Sequence, residues 1–294
     1  MTRTRARRSA WAGLPVLAAA LWAWPTAGAE PAGLPYRVVD TGQTRCFDNA
    51  REIPFPQRGA AFDGQDAQFT SNPPLYEDNG DGTISDLSTG LMWVKSPDLR
   101  QKRTFAEATA GAAACRVGGH EDWRMPTIKE LYSLILFSGV DVAPESRSGA
   151  KPFLDTRYFD FAYGDVAAGE RIIDAQYWSS TEYVGRTMRN DATVFGVNFA
   201  DGRIKGYPRD MGPRGEPARH FVRYVRGNPQ YGRNDFRDNG DGTITDAATG
   251  LIWMKNDSGR PMNWQDALAW AASQSCAGQK DWRLPNAKEL QSIV

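Results

Sequence analysis

The stretch DNGDGTISDLSTGLMWVK at residues 78–95 returns later in the chain as DNGDGTITDAATGLIWMK at residues 238–255. Glycine alternates with asparagine and aspartate at residues 79–82, a composition that is typical of tight turns. The short apolar runs at 83–84 and 91–94 flank a second turn that ends in glycine, which predicts a β-hairpin. Each occurrence is therefore interpreted as the start of the same fold.

The same acidic stretch also suggests a calcium-binding loop. With Gly82 at the glycine position of an EF-hand loop, however, the position of the final bidentate glutamate holds Ser88. In the second copy, Arg237 takes the place of the first carboxylate ligand. The residues favour a structural turn, in which Asp86 or Thr89 bonds the local backbone, over a metal site.

A second pair of matching segments follows in each copy. The first reads DWRMPTIKELYSLI at 122–135 and the second DWRLPNAKELQSIV at 281–294, with Cys115 and Cys276 at nearly the same distance before them. One domain is therefore encoded twice. Because the first copy continues well beyond its KEL segment, we expect the second copy to be incomplete. The predicted organisation is a signal peptide at 1–29, a leader segment at 30–76, a first domain at 77–227, a linker at 228–237 and a second domain at 238–294.

The first 29 residues have the composition of a secretory signal peptide. An apolar run at 11–24 precedes small residues at 27–29 and follows the basic residues Arg3, Arg5, Arg7 and Arg8. The apolar run is shorter than the roughly 20 residues that a membrane-spanning helix needs. We therefore expect an exported protein, located in the periplasm, outside the cell or at its surface, with no membrane span.

The overall charge gives no sign of a nucleic-acid partner. The 35 basic and 35 acidic residues balance, and loss of the signal peptide would leave the mature chain mildly acidic. Nothing in that total indicates binding to nucleic acid. Export permits disulfides, but only Cys46, Cys115 and Cys276 are present, so at most one intrachain pair can form.

Capping patterns place two helices in each copy. Thr104 and Thr127 each precede a glutamate by three residues, which is a capping box, so helices should begin after them; the first should run to the glycines at 118–119. Asn263 and Asn286 predict the corresponding helices of the second copy. A long segment at 139–174 has no clear period.

The remainder of the first copy has the alternation of antiparallel strands. A strand should begin at 177–181, a hairpin should join 194–199 to 203–207, and 220–225 should form a closing strand. The order of hairpin, two helices, long loop and strands predicts an α+β domain.

Residues with catalytic or metal-binding potential are few. His120 and His220 are the only histidines, and neither lies in a zinc-binding spacing. Residues 179–181 are interpreted as strand hydroxyls, since no nucleophile-elbow motif or phosphate-binding glycine loop is present. The aromatic rings of Trp93, Trp123 and Trp178 are expected in the core. We expect no metal, no cofactor and no enzyme activity.

Together, GLMWVK, a helix ending in cysteine, DWRMPT-x-KEL, YWSST and V-R-x-V-R-G resemble the Lcl C-terminal domain family, named for a Legionella collagen-like adhesin. The resemblance extends over 77–227 and again from 238 to 294, in tandem. It implies a C-type-lectin-like fold, shared distantly with the formylglycine-generating enzymes. Those enzymes use paired cysteines near the end of the domain, and the first copy has none after Cys115. Because the adhesin binds sulfated glycans, the resemblance implies a binding role toward polysaccharide.

The closing segment departs from the family pattern at one position. Family members usually carry V-R-C-V-R-G, whose cysteine pairs with the cysteine after the first helix. This chain has Tyr224 at that position, so Cys115 lacks the partner that the resemblance implies. Cys46 is the predicted substitute in a disulfide with Cys115; the alternative is a buried free thiol at Cys115.

Positive charge is concentrated late in the first copy. Between residues 183 and 233, ten basic residues stand against four acidic ones. Such a patch suits sulfated or uronic-acid glycans, whose anionic groups match arginine bidentately. The alternative is a solvated face whose charges pair with acids elsewhere. The predicted ligand-binding residues are Arg186, Arg189, Arg203, Lys205 and Arg209.

The sequence thus predicts a non-enzymatic module for binding or adhesion, with polysaccharide or sulfated glycan as its partner. One alternative is a structural protein of the cell envelope. Another is an enzyme with its site in the 139–174 loop, for which coupled acids such as Asp155 with Asp160 or Asp165 would be the sign.

Overall fold

The computed structural model describes residues 33–97, 101–141, 148–187, 190–212 and 215–294. The predicted signal peptide lies outside these ranges. None of the helices in them has both the length and the apolar character needed to cross a membrane.

The leader and the first copy supply most of the strands. The leader forms β1 (Cys46–Phe47) and β2 (Glu52–Ile53). The first copy begins with β3 (Tyr76–Asp78), β4 (Thr83–Asp86), β5 (Leu91–Val94), α1 (Phe105–Ala114) and α2 (Ile128–Ser133). It continues with β6 (Gln176–Glu182), β7 (Thr193–Asn198), β8 (Arg203–Pro208) and β9 (Val225–Gly227).

The second copy repeats the first half of this order. It contains β10 (Phe236–Asp238), β11 (Thr243–Asp246), β12 (Leu251–Met254), α3 (Trp264–Ser273) and α4 (Ala287–Ser292). All pairings within the sheets are antiparallel, in the strand orders β1-β2, β3-β4-β5-β9, β6-β7-β8 and β10-β11-β12. Helices and antiparallel sheets are thus combined, and the α+β prediction is confirmed.

The repeated acidic stretch forms a tight turn between β3 and β4. Asp78 accepts the backbone N–H of Gly80 with Oδ1 at 3.0 Å and the ammonium of Lys95 with Oδ2 at 2.6 Å. Asp81 accepts both the backbone N–H and the hydroxyl of Thr83. Further along, Asp86 accepts two backbone N–H groups of the next turn. The carboxylates are engaged by the local chain, which confirms the turn.

The second copy reproduces this turn bond for bond. Asp238 accepts Gly240 N–H and the ammonium of Lys255, and Asp241 accepts Thr243. In the described residues, no group of three or more histidine, cysteine, aspartate or glutamate side chains is arranged to hold a metal ion.

The predicted helix starts are also confirmed. The Thr104 and Thr127 hydroxyls accept the backbone N–H three residues on, and the glutamates at those positions bond back to the caps. Asn263 and Asn286 cap α3 and α4. These bonds satisfy N–H groups that have no partner inside the helix.

The main core lies between α2 and the two sheets of the first copy. Trp93 and Tyr177 are fully buried there. Trp178 is buried in a neighbouring cluster with Ala108 of α1. Trp123 is 4% exposed, and its Nε1 donates to the carbonyl of Val117 at 3.1 Å. The three tryptophans are core residues, as predicted.

Three elements differ from the sequence predictions. Strand β3 is not among the predicted elements, and α1 ends at Ala114 instead of at 118–119. The closing strand is shorter than predicted, since only Val225–Gly227 pairs with β5. Residues 220 and 221 make single bridges to other segments. The apolar residues at 220–225 are buried against several different elements and do not form one continuous strand. Arg223, between them, is itself fully buried.

The three cysteines are free thiols in the structure. Cys46 is buried in the leader hairpin, next to the short helical turn at Asp66–Gln68. Cys115 instead caps the C-terminus of α1 in the first copy. The two belong to different substructures, and the predicted disulfide between them is not formed.

Candidate functional site

Three of the five predicted ligand-binding residues, Arg203, Lys205 and Arg209, lie on or beside β8, an outer strand of the β6-β7-β8 sheet. The hairpin between β7 and β8 turns at Gly202, where φ is +70° and a Cβ would lie 2.6 Å from the ring of Phe153. Asp201 precedes this glycine, and its Oδ1 accepts the backbone N–H of Arg203 at 3.2 Å. The turn therefore fixes an acidic side chain at the start of a basic strand.

Asp201 holds two of the predicted residues together. Its carboxylate is fully buried, and it accepts Arg203 Nη1 at 3.3 Å and also the ammonium of Lys205. The other terminal nitrogen of Arg203 donates to Asp141 at 2.9 Å. Both basic side chains still reach solvent, at 56% and 36% exposure.

Arg209 lies just beyond the other end of β8. Its guanidinium contacts Glu182 of β6 at 3.1 Å and Asp210 at 3.2 Å. The hydrogen bond that Arg209 donates to the neighbouring Asp210 carboxylate is the main cause that raises the pKa of Arg209. The positive charge of Arg209 is therefore partly offset by these two acids. Arg209 is also separated along β8 from the pair at Asp201.

In the sequence, the remaining two predicted residues follow β6. Arg186 is exposed, and no acid of the described chain forms an ion pair with it. Arg189 lies outside the described residues. Of the five predicted residues, Arg203 and Lys205 share one carboxylate, and Arg209 uses others.

The acids of the long loop are engaged separately. Asp155 forms a salt bridge with Arg157 at 2.7 Å, and the hydrogen bonds from this guanidinium lower the pKa of Asp155. Asp165 caps a short helical turn through two backbone N–H groups. Asp160 contributes its backbone carbonyl to the guanidinium of Arg223.

His220 lies in an aromatic cluster, 4.2 Å from Trp178 and 4.6 Å from Tyr207 between ring centroids. Desolvation lowers its pKa to about 3. The imidazole is therefore neutral at physiological pH.

The motif D-W-R-x-P-x-x-K-E-L forms the same clamp in both copies. Arg124 donates two hydrogen bonds to the two carboxylate oxygens of Glu130, at 2.7 and 2.6 Å. Glu130 also accepts the N–H of Thr127 at 2.8 Å, so one buried carboxylate both pairs with the arginine and closes the capping box. Arg283 and Glu289 repeat this geometry at the start of α4.

The repeated clamps lie within two segments that known domains share, and each repeated turn comes directly before the start of one of them. The family model of the Lcl C-terminal domain matches residues 82–226 and 242–294. The chain belongs to the Lcl C-terminal domain family. The two segments are consistent with tandem copies. No curated protein and no solved structure gives a significant match to the chain.

The two Lcl segments contact each other through their KEL helices. Lys129 of α2 donates to the carbonyl of Ser292 at 2.7 Å, and Lys288 of α4 donates to the carbonyl of Ser133 at 2.8 Å. The two lysines occupy equivalent positions of the repeat, as do the two serines. The contact is therefore reciprocal, as in an interface with two-fold symmetry.

Sequence reasoning identified the repeat but missed this contact. Each lysine also has a second acceptor, Asn234 Oδ1 for Lys129 and the Asp40 carbonyl for Lys288. Lys288 is only 3% exposed. The sequence signal that was available is the lysine before Glu-Leu in both copies. When each helix is considered alone, such a lysine is expected to face solvent.

Proposed function

We propose that the protein is an exported, non-enzymatic binding module of the Lcl C-terminal domain type, with a C-type-lectin-like fold. The proposed ligand is a polysaccharide that carries sulfate or carboxylate groups. The family resemblance supports the fold and the class of ligand. The combination of antiparallel sheets, two helices and a long irregular segment is consistent with that fold.

The pairing of Arg203 and Lys205 on the buried Asp201 carries the proposal. A guanidinium has five N–H donors and an ammonium has three, so both groups keep donors after they bond to Asp201 and Asp141. The buried carboxylate restricts their positions, which reduces the entropy that a ligand would otherwise have to overcome. Sulfate and carboxylate groups accept such charge-assisted hydrogen bonds.

The neighbouring acids determine how the site should respond to salt. Asp141 and Asp201 offset the charges of Arg203 and Lys205. Long-range attraction is then weak, and recognition depends on hydrogen bonds at short range. We expect affinity to fall with salt, because the contacts are partly exposed, but less steeply than for an unpaired basic surface.

The test compares three polymers on the mature chain, in two salt concentrations and with or without calcium: a sulfated glycan, a uronic-acid polymer and an uncharged dextran. The variant Arg203→Glu/Lys205→Glu should lose at least about tenfold in affinity for the charged polymers, equal to about 1.4 kcal/mol. The control Arg51→Glu/Arg58→Glu makes the same charge change on exposed leader residues and should bind as the parent does.

Equal binding by the two double variants would reject the proposed site. Calcium-dependent binding would instead implicate the acidic turns. Absence of binding to every polymer would reject the polysaccharide proposal and favour a structural role in the envelope.

A further inference from the structure

Asp141 and Asp201 both bond the guanidinium of Arg203, but the two carboxylates are placed differently. The Asp201 side chain is fully buried, and it accepts Arg203 Nη1 at 3.3 Å, the backbone N–H of Arg203 at 3.2 Å and the ammonium of Lys205. The Asp141 side chain is 36% exposed, and among the described residues it bonds only Arg203 Nη2, at 2.9 Å. One acid is thus part of the hairpin turn, whereas the other meets a single group at the surface.

The ring of Phe153 connects Asp141 to the hairpin of β7 and β8. A Cβ at Gly139 would lie 2.4 Å from this ring, and a Cβ at Gly202 would lie 2.6 Å from it. Because both positions lack a side chain, the ring fills the space between the segment before Asp141 and the turn before Arg203. The contact between Asp141 and Arg203 is therefore a product of this packing.

An anionic group of a ligand competes with these two carboxylates for the same donors. If the ligand displaced Asp201, a buried carboxylate would be left without its cations, which is costly. Release of Asp141 costs less, because an exposed carboxylate regains water when its ion pair opens. Its release also returns a donor of Arg203 Nη2 to the ligand, and guanidinium donors suit the oxygens of sulfate and carboxylate.

We propose that Asp141 is a competing anion, which takes the place of the ligand's anionic group on Arg203 and is displaced when the ligand binds. This inference rests on the proposed glycan site and concerns the regulation of that site. Asp201 stays in place and holds Arg203 and Lys205 together in the bound state. A polymer with adjacent anionic groups reaches both cations at once and is therefore favoured over a sparsely charged one.

The test measures the affinity of the full chain for labelled heparin by fluorescence anisotropy. Asp141→Asn removes the competing charge and should raise the affinity by about two- to fivefold, as expected for one exposed ion pair. The control Asp174→Asn makes the same charge change on an acid that bonds Arg171 at 2.7 Å. The pKa of Arg171 is raised by its hydrogen bond to Asp174 and also by the charge of Asp201, so the control lies near the site. It should change the affinity much less than Asp141→Asn does.

The variant Asp201→Asn should have the opposite effect. It also removes one negative charge, but Arg203 and Lys205 then lose the carboxylate that restricts their positions. The ligand has to overcome the entropy of both side chains, and the affinity should fall. Opposite signs for Asp141→Asn and Asp201→Asn distinguish displacement from a general effect of charge.

A double-mutant cycle tests whether Asp141 acts through Arg203. In a chain that carries Arg203→Gln, where Lys205 remains to bind heparin, Asp141→Asn should have no further effect on the affinity. A long-range effect of charge would persist in that chain and would weaken as salt is added.

The possible outcomes separate this inference from the proposed function. If the parent binds heparin and Asp141→Asn binds no more tightly, the inference fails and the glycan site stands. Equal gains for Asp141→Asn and Asp174→Asn, or a gain that persists with Arg203→Gln, would also overturn it. If neither the parent nor Asp141→Asn binds heparin, the inference and the proposed sulfated ligand fail together. Binding by Asp141→Asn alone would support displacement.

Discussion

Replacement of Lys288 by methionine should change the pH dependence of folding stability. Lys288 is buried at the contact between α2 and α4, where it bonds the carbonyls of Asp40 and Ser133. Desolvation lowers its pKa from 10.5 to about 7, while the nearby carboxylates of Asp40, Asp86 and Asp66 act in the opposite direction. The buried ammonium is therefore a destabilising charge at neutral pH and below.

The sign of the effect follows from proton linkage. Between pH 7 and 10.5, the unfolded chain holds a proton on this lysine that the folded chain has released. Stability then rises with pH, by about 1.4 kcal/mol per pH unit and by about 5 kcal/mol over the whole window. Below pH 7 both states are protonated, and the cost of burying the charge is present in full.

The Lys288→Met variant lacks this titration. It also leaves two carbonyls without their donor, at a cost of about 1–3 kcal/mol each, and this cost does not depend on pH. The free energy of unfolding of the parent minus that of the variant should therefore increase steadily from about pH 7 to about pH 9, whatever its value at the start.

Urea denaturation followed by tryptophan fluorescence, at about pH 7, 8 and 9, measures this difference. The control is Lys280→Met, which removes an exposed lysine of the same copy and should give a nearly constant difference. A constant difference for Lys288→Met as well would show that the lysine titrates alike in the folded and unfolded chain. The reasoning from burial would then be wrong.

Two further substitutions test the clamp and the helix caps. Glu130→Gln leaves Arg124 without a charged partner and should cost about 2 kcal/mol, since the buried Glu130 gives up charge-assisted hydrogen bonds; a loss below about 1 kcal/mol in urea denaturation would contradict the clamp. Thr104→Ala removes the side-chain bond to the N–H of Glu107 and should cost about 1 kcal/mol, whereas Thr104→Ser should retain most of the stability. Equal stability of the alanine and serine variants would show that this cap contributes little.

Local chemistry explains why much of the fold could be predicted. The turns at 79–82 and the caps at Thr104 and Thr127 depend on residues within a few positions of each other, so their signals are present in the sequence itself. Strand β3 carries no such signal. It is three residues long, and two of them are exposed acids, Glu77 and Asp78. Its structure comes from pairing with β4, which local pattern does not encode.

The predicted positive patch shows what the sequence alone does not reveal. Counting charges along residues 183–233 predicted a positive patch, but the ion pairs of Arg203 and Arg209 include Asp141 and Glu182, which lie outside that interval or on another strand. A charge count cannot detect these pairs, because they are formed by the tertiary fold. The structure keeps Arg203 and Lys205 together and reduces the net charge around them.

The contact between the copies follows from the duplication itself. Lys129 and Lys288 hold equivalent positions in the two copies. Each therefore donates to a carbonyl near the C-terminus of the other copy's helix. A self-complementary surface of this kind needs only one sequence motif, used twice.

The two halves of this contact are nevertheless unequal, since Lys129 is only partly buried and Lys288 is almost fully buried. Desolvation lowers the pKa of both lysines. Because Lys129 has more contact with solvent, burial of its charge destabilises the fold less. Lys129→Met should therefore change the pH dependence of stability less than Lys288→Met does, although each substitution removes one backbone-directed hydrogen bond between the helices.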